Sequence, residues 1–147
     1  MALRFSTGLR DGLLAGNALK TLLAGGEIRL YSGPVPASVD SAISPSNQVL
    51  CTIRNNGATG LEFEAAASGG VLSKSASQTW RGTNTAGGLA TFYRHVLSSD
   101  TDAASTTAIR IQGEVAVAGA DMSISNPLLV NGAVQSLEAY SVALPEA

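Results

Sequence analysis

His95 is the chain's only histidine, and imidazole is the side chain best suited to moving protons near neutral pH. It follows Arg94 in a strand-like run, Leu89 to Val96. A catalytic base needs a partner that orients it, and no serine lies in a Gly-x-Ser-x-Gly elbow that would supply a nucleophile. His95 is therefore expected to be a structural or interface residue. Glu62 and Glu64 are two residues apart, which on a strand places both on one solvent face and not across a cleft as an acid and base pair. Asp100-Thr101-Asp102 begins like a calcium loop. Its sixth position, however, is Ser105 in place of glycine and its twelfth is Ile111 in place of glutamate, so a solvated loop is expected.

The paired glycines at 25–26, 69–70 and 87–88 do not continue into Gly-Lys-Ser/Thr, so they are expected in turns and not around phosphate. Cys51, the sole cysteine, excludes an internal disulfide or a cysteine-based zinc site within one chain. It reads as a small buried hydrophobe. Tyr31, Trp80 and Tyr93 would stack on a sugar if they shared an outer face; packing in the core is their expected use. These residues lead to the expectation of a non-enzymatic protein with no catalytic, cofactor-binding or metal-binding residues and no small-molecule substrate.

Lys and Arg number 9 against 11 Asp and Glu, for a net charge of -2. Nucleic acid requires clustered cations that release counterions, so no such partner is expected. Charged residues are 14% and aromatics 5% of the chain, which leaves Ser, Thr, Asn and Gly to make much of the surface. One domain of 147 residues can bury about 68 to 70 per cent of the surface its unfolded chain exposes. Met1 to Phe5 lacks the features of a secretory signal and no run of about 18 apolar residues is present, so neither export nor a membrane is expected and the product is made in a cytoplasm.

The elements that must position these residues begin with a helical pattern from Thr7 to Ala24. Leu9, Leu13, Leu19 and Leu23 form one stripe with Gly12 and Gly16 beside it, while Leu14 and Leu22 point the other way. Two apolar faces call for two partners. Gly8, Gly12 and Gly16 each cost about 1 kcal/mol relative to alanine in a helix, so residues 1–26 are expected to be an arm ordered by what it touches. The same composition also suits an irregular arm with only its second half helical. Gly25-Gly26 ends it, and residues 27–147 form the body of the same domain.

Glu27 to Ser32 alternates as a half-buried strand, with Ile28, Leu30 and Ser32 on one side. After an extended turn through Gly33 to Ser38 and a loop, further strands are expected at Val49 to Ile53, Leu61 to Ala65, Val71 to Lys74 and Gln78 to Thr83, the last with Trp80 inward. Asn56-Gly57 marks a hairpin. Leu89 to Val96 is apolar on both faces and reads as a central strand covered twice. Ile109 to Val117 alternates, with Ile109, Ile111, Val115 and Val117 inward. Pro127 to Leu144 reads as a closing hairpin with Val134, Tyr140, Val142 and Leu144 on one face. Roughly nine short strands with turns every 8 to 12 residues imply a mainly β fold, an antiparallel, jelly-roll-like β-sandwich with one N-terminal helix or arm.

The N-terminal quarter, Leu3-Arg4-Phe5-Ser6-Thr7-Gly8-Leu9-Arg10 through Leu13-Leu14, Leu19-Lys20, Leu22 and Ala24-Gly25-Gly26 to Ile28-Arg29-Leu30-Tyr31-Ser32-Gly33-Pro34-Val35-Pro36-Ala37-Ser38, resembles small virion structural proteins of tailed bacteriophages. The remainder is similar to their β-sandwich bodies in style. Among them are capsid decoration or cement proteins, which sit on the head as dimers or trimers and bind the major capsid protein. The resemblance implies a homo-oligomer on the capsid surface of the virion that stabilises the head, without catalytic residues. The expected interaction arm comprises Leu3, Arg4, Phe5, Leu9, Leu13, Leu14, Leu19, Leu22 and Leu23. Alternatives are a tail or neck component, or a carbohydrate-binding (receptor-binding) module with Trp80 or Tyr93 exposed.

Overall fold

Alternation with a period of two puts successive side chains on opposite faces of a strand, and this chain builds its architecture from that rule. The computed structural model describes residues 3–143. Within them the chain runs β1 (Arg4–Phe5), α1 (Thr7–Leu14), α2 (Leu19–Leu22), β2 (Glu27–Tyr31), β3 (Val49–Asn55), β4 (Val71–Ser73) and β5 (Trp80–Thr83). It continues through β6 (Gly88–Leu89), β7 (Phe92–Val96), β8 (Arg110–Ala116), β9 (Met122–Ser123), β10 (Leu128–Leu129), β11 (Val134–Leu137) and β12 (Ser141–Ala143). The fold is mainly β, with antiparallel sheets and an N-terminal helix.

Eight strands make one sheet in the order β1-β8-β7-β2-β3-β5-β11, with β9 also paired to β8. The β8–β9 pair is parallel, whereas β1, β7, β2, β3, β5 and β11 pair antiparallel along the path. Two antiparallel ribbons, β6–β10 and β4–β12, complete the pairing.

Register separates two faces. Ile28 lies opposite His95 and Ile53, Leu30 opposite Tyr93 and Cys51, and His95 opposite Ile111. The apolar ones among these join Leu9, Leu23, Leu61, Phe63, Leu72, Trp80, Tyr140 and Val142 in one cluster. On the other face Glu27, Arg29 and Tyr31 pair with Val96, Arg94 and Phe92, and Arg94 pairs with Gln112. All five residues of β7 are buried, as its doubly apolar sequence predicts.

Several expectations need correction. β2 is buried on both faces, not half-buried, because charged residues fill its second side. Asn56 and Gly57 do form a positive-φ turn, with φ of 53° and 71°, closed by Asn55 and Thr59. The segment after it is no paired strand, since Leu61 bridges Gly26 and Phe63 bridges Lys74. Leu89 belongs to β6 and is separated from β7. Val117 lies beyond β8 and is 61% exposed. The expected closing hairpin is instead three strands with three partners: β10 on β6, β11 on β5 and β12 on β4. Tyr140 and Val142 point inward, Val134 outward, and Leu144 lies outside the described residues.

His95 is fully buried beside Phe63, Trp80 and Tyr140, with ring centroids 5.5, 6.2 and 5.9 Å away. Neither ring nitrogen has a hydrogen-bond partner among the described residues. Burial drives its pKa down to about 3, from about 6.5 in an unfolded chain. The unfolded chain thus takes the proton first, and His95 lowers stability as pH falls from about 6.5 towards 3, by up to about 1.4 kcal/mol per pH unit. Between pH 6 and 4.5, urea titrations of His95→Leu should show that slope removed. At pH 7 the variant should lie within about 1.5 kcal/mol of the wild type, the range of volume-conserving core changes.

Candidate interaction surface

Ser6 anchors the N-terminal segment. Its backbone N–H donates to Arg110 O at 3.0 Å, extending the β1–β8 pairing. Its Oγ accepts from the N–H groups of Leu9 and Arg110 and donates to Ala108 O. Serine at this position caps α1 by satisfying an amide that has no partner inside the helix. The Asp40 carboxylate accepts from Thr7 N at 2.9 Å and Thr7 Oγ1 at 2.6 Å. Those hydrogen bonds hold its pKa below the ordinary range.

The nine residues expected in the arm therefore divide. Leu9 and Leu23 are fully buried in the chain's own core, and Leu3, Phe5, Leu13, Leu19 and Leu22 are partly buried against it. Arg4 is exposed and donates to Ala37 O. Leu14 alone among the leucines stands clear, at 88% exposed. The single helix expected from Thr7 to Ala24 is two, because Gly16 adopts φ +96° and stops α1; the longer piece is the first, not the second. Leu22 is not on an outer face, for it packs where Gly12 has no side chain. A close backbone approach occurs at Gly8, where a Cβ would run into the Thr107 carbonyl.

Beneath the loop of residues 33–48 the sheet's second face holds buried charge. Arg94 and Arg110 are 0% and 1% exposed. Arg110 pairs with Asp100 at 2.6 Å and donates to Val39 O and Ala103 O. Arg94 donates to Gln112 Oε1, Ser38 O and Ser41 O, and Gln112 donates to Pro36 O. Arg29 bridges Glu27 at 2.8 Å and Asp102 at 3.2 Å, and Tyr31 donates to Asp102. Burial works against the Asp100 carboxylate, yet the hydrogen bonds from Arg110 and from the Asp102 N–H hold its pKa below the ordinary value. Asp100 and Asp102 are thus ion-pair partners. Burial, then repulsion from Arg110, lowers the pKa of Arg94.

What remains for contact is elsewhere. Leu89 and Leu128 lie opposite one another across the β6–β10 ribbon and are 53% and 59% exposed. Val130, just beyond β10, is 65% exposed. Leu89, Val117 and Pro127 line one groove of about 570 Å³. Sequence reasoning missed this surface because it assigned Leu128-Leu129-Val130 to a closing hairpin, whereas β10 pairs with β6. Tyr31, Trp80 and Tyr93 are all buried and offer no ring face to a sugar. Among the described residues no group of three or more His, Cys, Asp or Glu is placed to hold a metal, and no helix is long and apolar enough to cross a membrane.

Two substitutions check this account by chemical denaturation. Gly8→Ala should destabilise by about 1 kcal/mol or more despite alanine's better helix propensity, because the new methyl must displace backbone. Asp100→Asn leaves the Arg110 charge buried without its pair and should cost about 3–5 kcal/mol. No family model, curated protein or solved structure matches the chain.

Proposed function

We propose that this protein is a non-enzymatic structural component of a tailed-phage virion, a cement or decoration protein that binds the major capsid protein as a homo-oligomer on the capsid surface and stabilises the head. The observation that carries the reading is the concentration of bare apolar side chains on the β6–β10 ribbon and its groove, Leu89, Leu128, Val130 and Val117. Contiguous exposed apolar surface marks a contact with another macromolecule. Its rigidity suits the role, since loops pinned by buried arginines present a preorganised surface. Many weak copies then add by multivalency. The N-terminal resemblance supplies the address, and a tail or neck position would keep the structural role with a different one.

The finer architecture belongs to this proposal. Leu72 and Val142 of one ribbon and Leu129 of the other share a core with Ile28 and Leu30 of the main sheet, which supports the ribbons as a second layer in a jelly-roll-like sandwich. Of the interaction arm, Leu14 is the apolar residue left to meet a partner.

Removing residues 1–24 would strip Leu9 from the core along with Leu23, so point changes are the cleaner test. Leu89→Asp combined with Leu128→Asp should leave the fold intact and reduce co-sedimentation with undecorated phage heads more than tenfold. Leu14→Asp reports separately on the N-terminal contribution. Wild-type binding and oligomer size in both variants would overturn the reading.

A further inference from the structure

The seven-strand path of the sheet ends at β11, and the off-path strand β9 faces the same groove as that end. β8 is paired with β7 on one side, so β1 and β9 share its other side. In the parallel β8–β9 pair, Ile124 N–H donates to Ala116 O. Parallel pairing bonds one residue to the two that flank its neighbour, so the N–H and C=O of Ser123 are directed away from β8. At the far end β11 pairs with β5 alone. Asn84 N–H donates to Ala133 O, while Asn56 N–H donates to Thr79 O and Thr85 N–H to Leu50 O. The alternation this sets along β5 sends its even residues to β11 and its odd residues to β3. Gln135 and Leu137 then bond to β5, and the backbone groups of Ser136 face outward.

Ser123 and Ser136 line the same groove, of about 420 Å³, together with Asp121, Glu138 and Tyr140. The gap therefore has a strand edge on each wall: Ser123 presents its N–H and C=O, and Ser136 presents its N–H, its C=O accepting from Gln135 Nε2 at 2.9 Å. The N–H groups of Glu138, Ala139 and Tyr140 make no backbone hydrogen bond among the described residues. β11, Val134-Gln135-Ser136-Leu137, carries neither a charge nor a proline, the usual devices that protect an edge from pairing. The groove's charged residues, Asp121 and Glu138, are both acidic, and no Lys, Arg or His lines it.

We infer that this groove is a peptide-docking site, in which an extended segment of a partner protein bearing Lys or Arg adds as a strand between β9 and β11 and completes the sheet. Main-chain hydrogen bonds would supply the affinity and the two carboxylates would select a cationic segment over an acidic one, the usual division in strand addition. The inference stands on the sheet ends and is independent of where the protein resides.

The test uses the full chain and three fluorescein-labelled peptides of about eight residues: alternating Val and Lys, alternating Val and Glu, and the Val/Lys peptide N-methylated on alternate amides. In fluorescence anisotropy the Val/Lys peptide should bind saturably, the Val/Glu peptide at least tenfold more weakly and the N-methylated one not at all. Glu138→Lys, on an exposed side chain, should weaken Val/Lys binding about tenfold. Hydrogen exchange at the amides of Ser123 and Ser136 should be fast in the free protein and slow with Val/Lys peptide bound. Equal binding of the N-methylated peptide, no binding of Val/Lys at millimolar concentration, or protection of both amides in the free protein would each overturn the proposal.

Discussion

The contact between buried arginines and loop carbonyls is the constraint on which the rest of this structure depends. The loops of residues 33–48 and 98–107 have no strand ladder of their own, so their carbonyls need donors wherever the loops are covered. A guanidinium offers five in a fixed fork. Arg94 and Arg110, rooted on the neighbouring strands β7 and β8 inside the sheet, send theirs to Ser38, Val39, Ser41 and Ala103. Burying such charges is not in itself favourable, since desolvation offsets most of the attraction. What the arrangement provides is definition: moving these loops would take partners from Arg110 and from the carbonyls it meets, while Arg94 Nη1 has no partner among the described residues even here.

That layer also orders the N-terminus. The loop it pins presents Asp40 to the start of α1 and the Ala37 carbonyl to Arg4, and Ser6 bonds the backbone of Arg110, one of the layer's own residues. A helix of eight residues with two glycines would be marginal alone. Here its cap, its first turn and its buried Leu9 are each fixed by a different distant segment. The glycines that weaken it locally are what admit it to the site, because Gly8 lies flat against Thr107. Helix, loops and sheet are for this reason one cooperative unit, not an arm attached to a body.

The sequence made the apolar face legible and left the polar face hidden. Ile28, Leu30, Ile111 and Trp80 announce their direction because a period of two survives without any knowledge of partners. The same rule assigned Arg29 and Glu27 to solvent, since charge alone gives no sign that Asp102 and Arg54 will arrive to enclose them. Leucine spacing in the first 24 residues showed two faces on a helix but could not say whose core would receive them. Gly16 divided that helix, and Leu22 then turned into the space beside Gly12. Val134, apolar and in a strand, read as core; alternation puts it on the face opposite buried Leu137, where it is exposed. At the candidate surface, exposure of Leu89 and Leu128 follows from ribbon pairing across 39 positions of sequence, a separation that local pattern does not span.

A chain with so few charges relies little on long-range electrostatics, and this one places three of its seven arginines, Arg29, Arg94 and Arg110, and the carboxylates of Glu27 and Asp100 inside or beneath loops. Its single histidine and its tryptophan are core residues. The surface that remains is hydroxyls, small side chains, an apolar ribbon and an incompletely paired sheet. Apolar area is non-directional, so the ribbon can contribute affinity but little orientation. Strand edges are the opposite, for their donors and acceptors repeat at fixed spacing and accept a partner only in register. In the proposed contacts, an adhesive patch would supply affinity and an edge would set register, with the carboxylates of Asp121 and Glu138 as the charge that discriminates between segments.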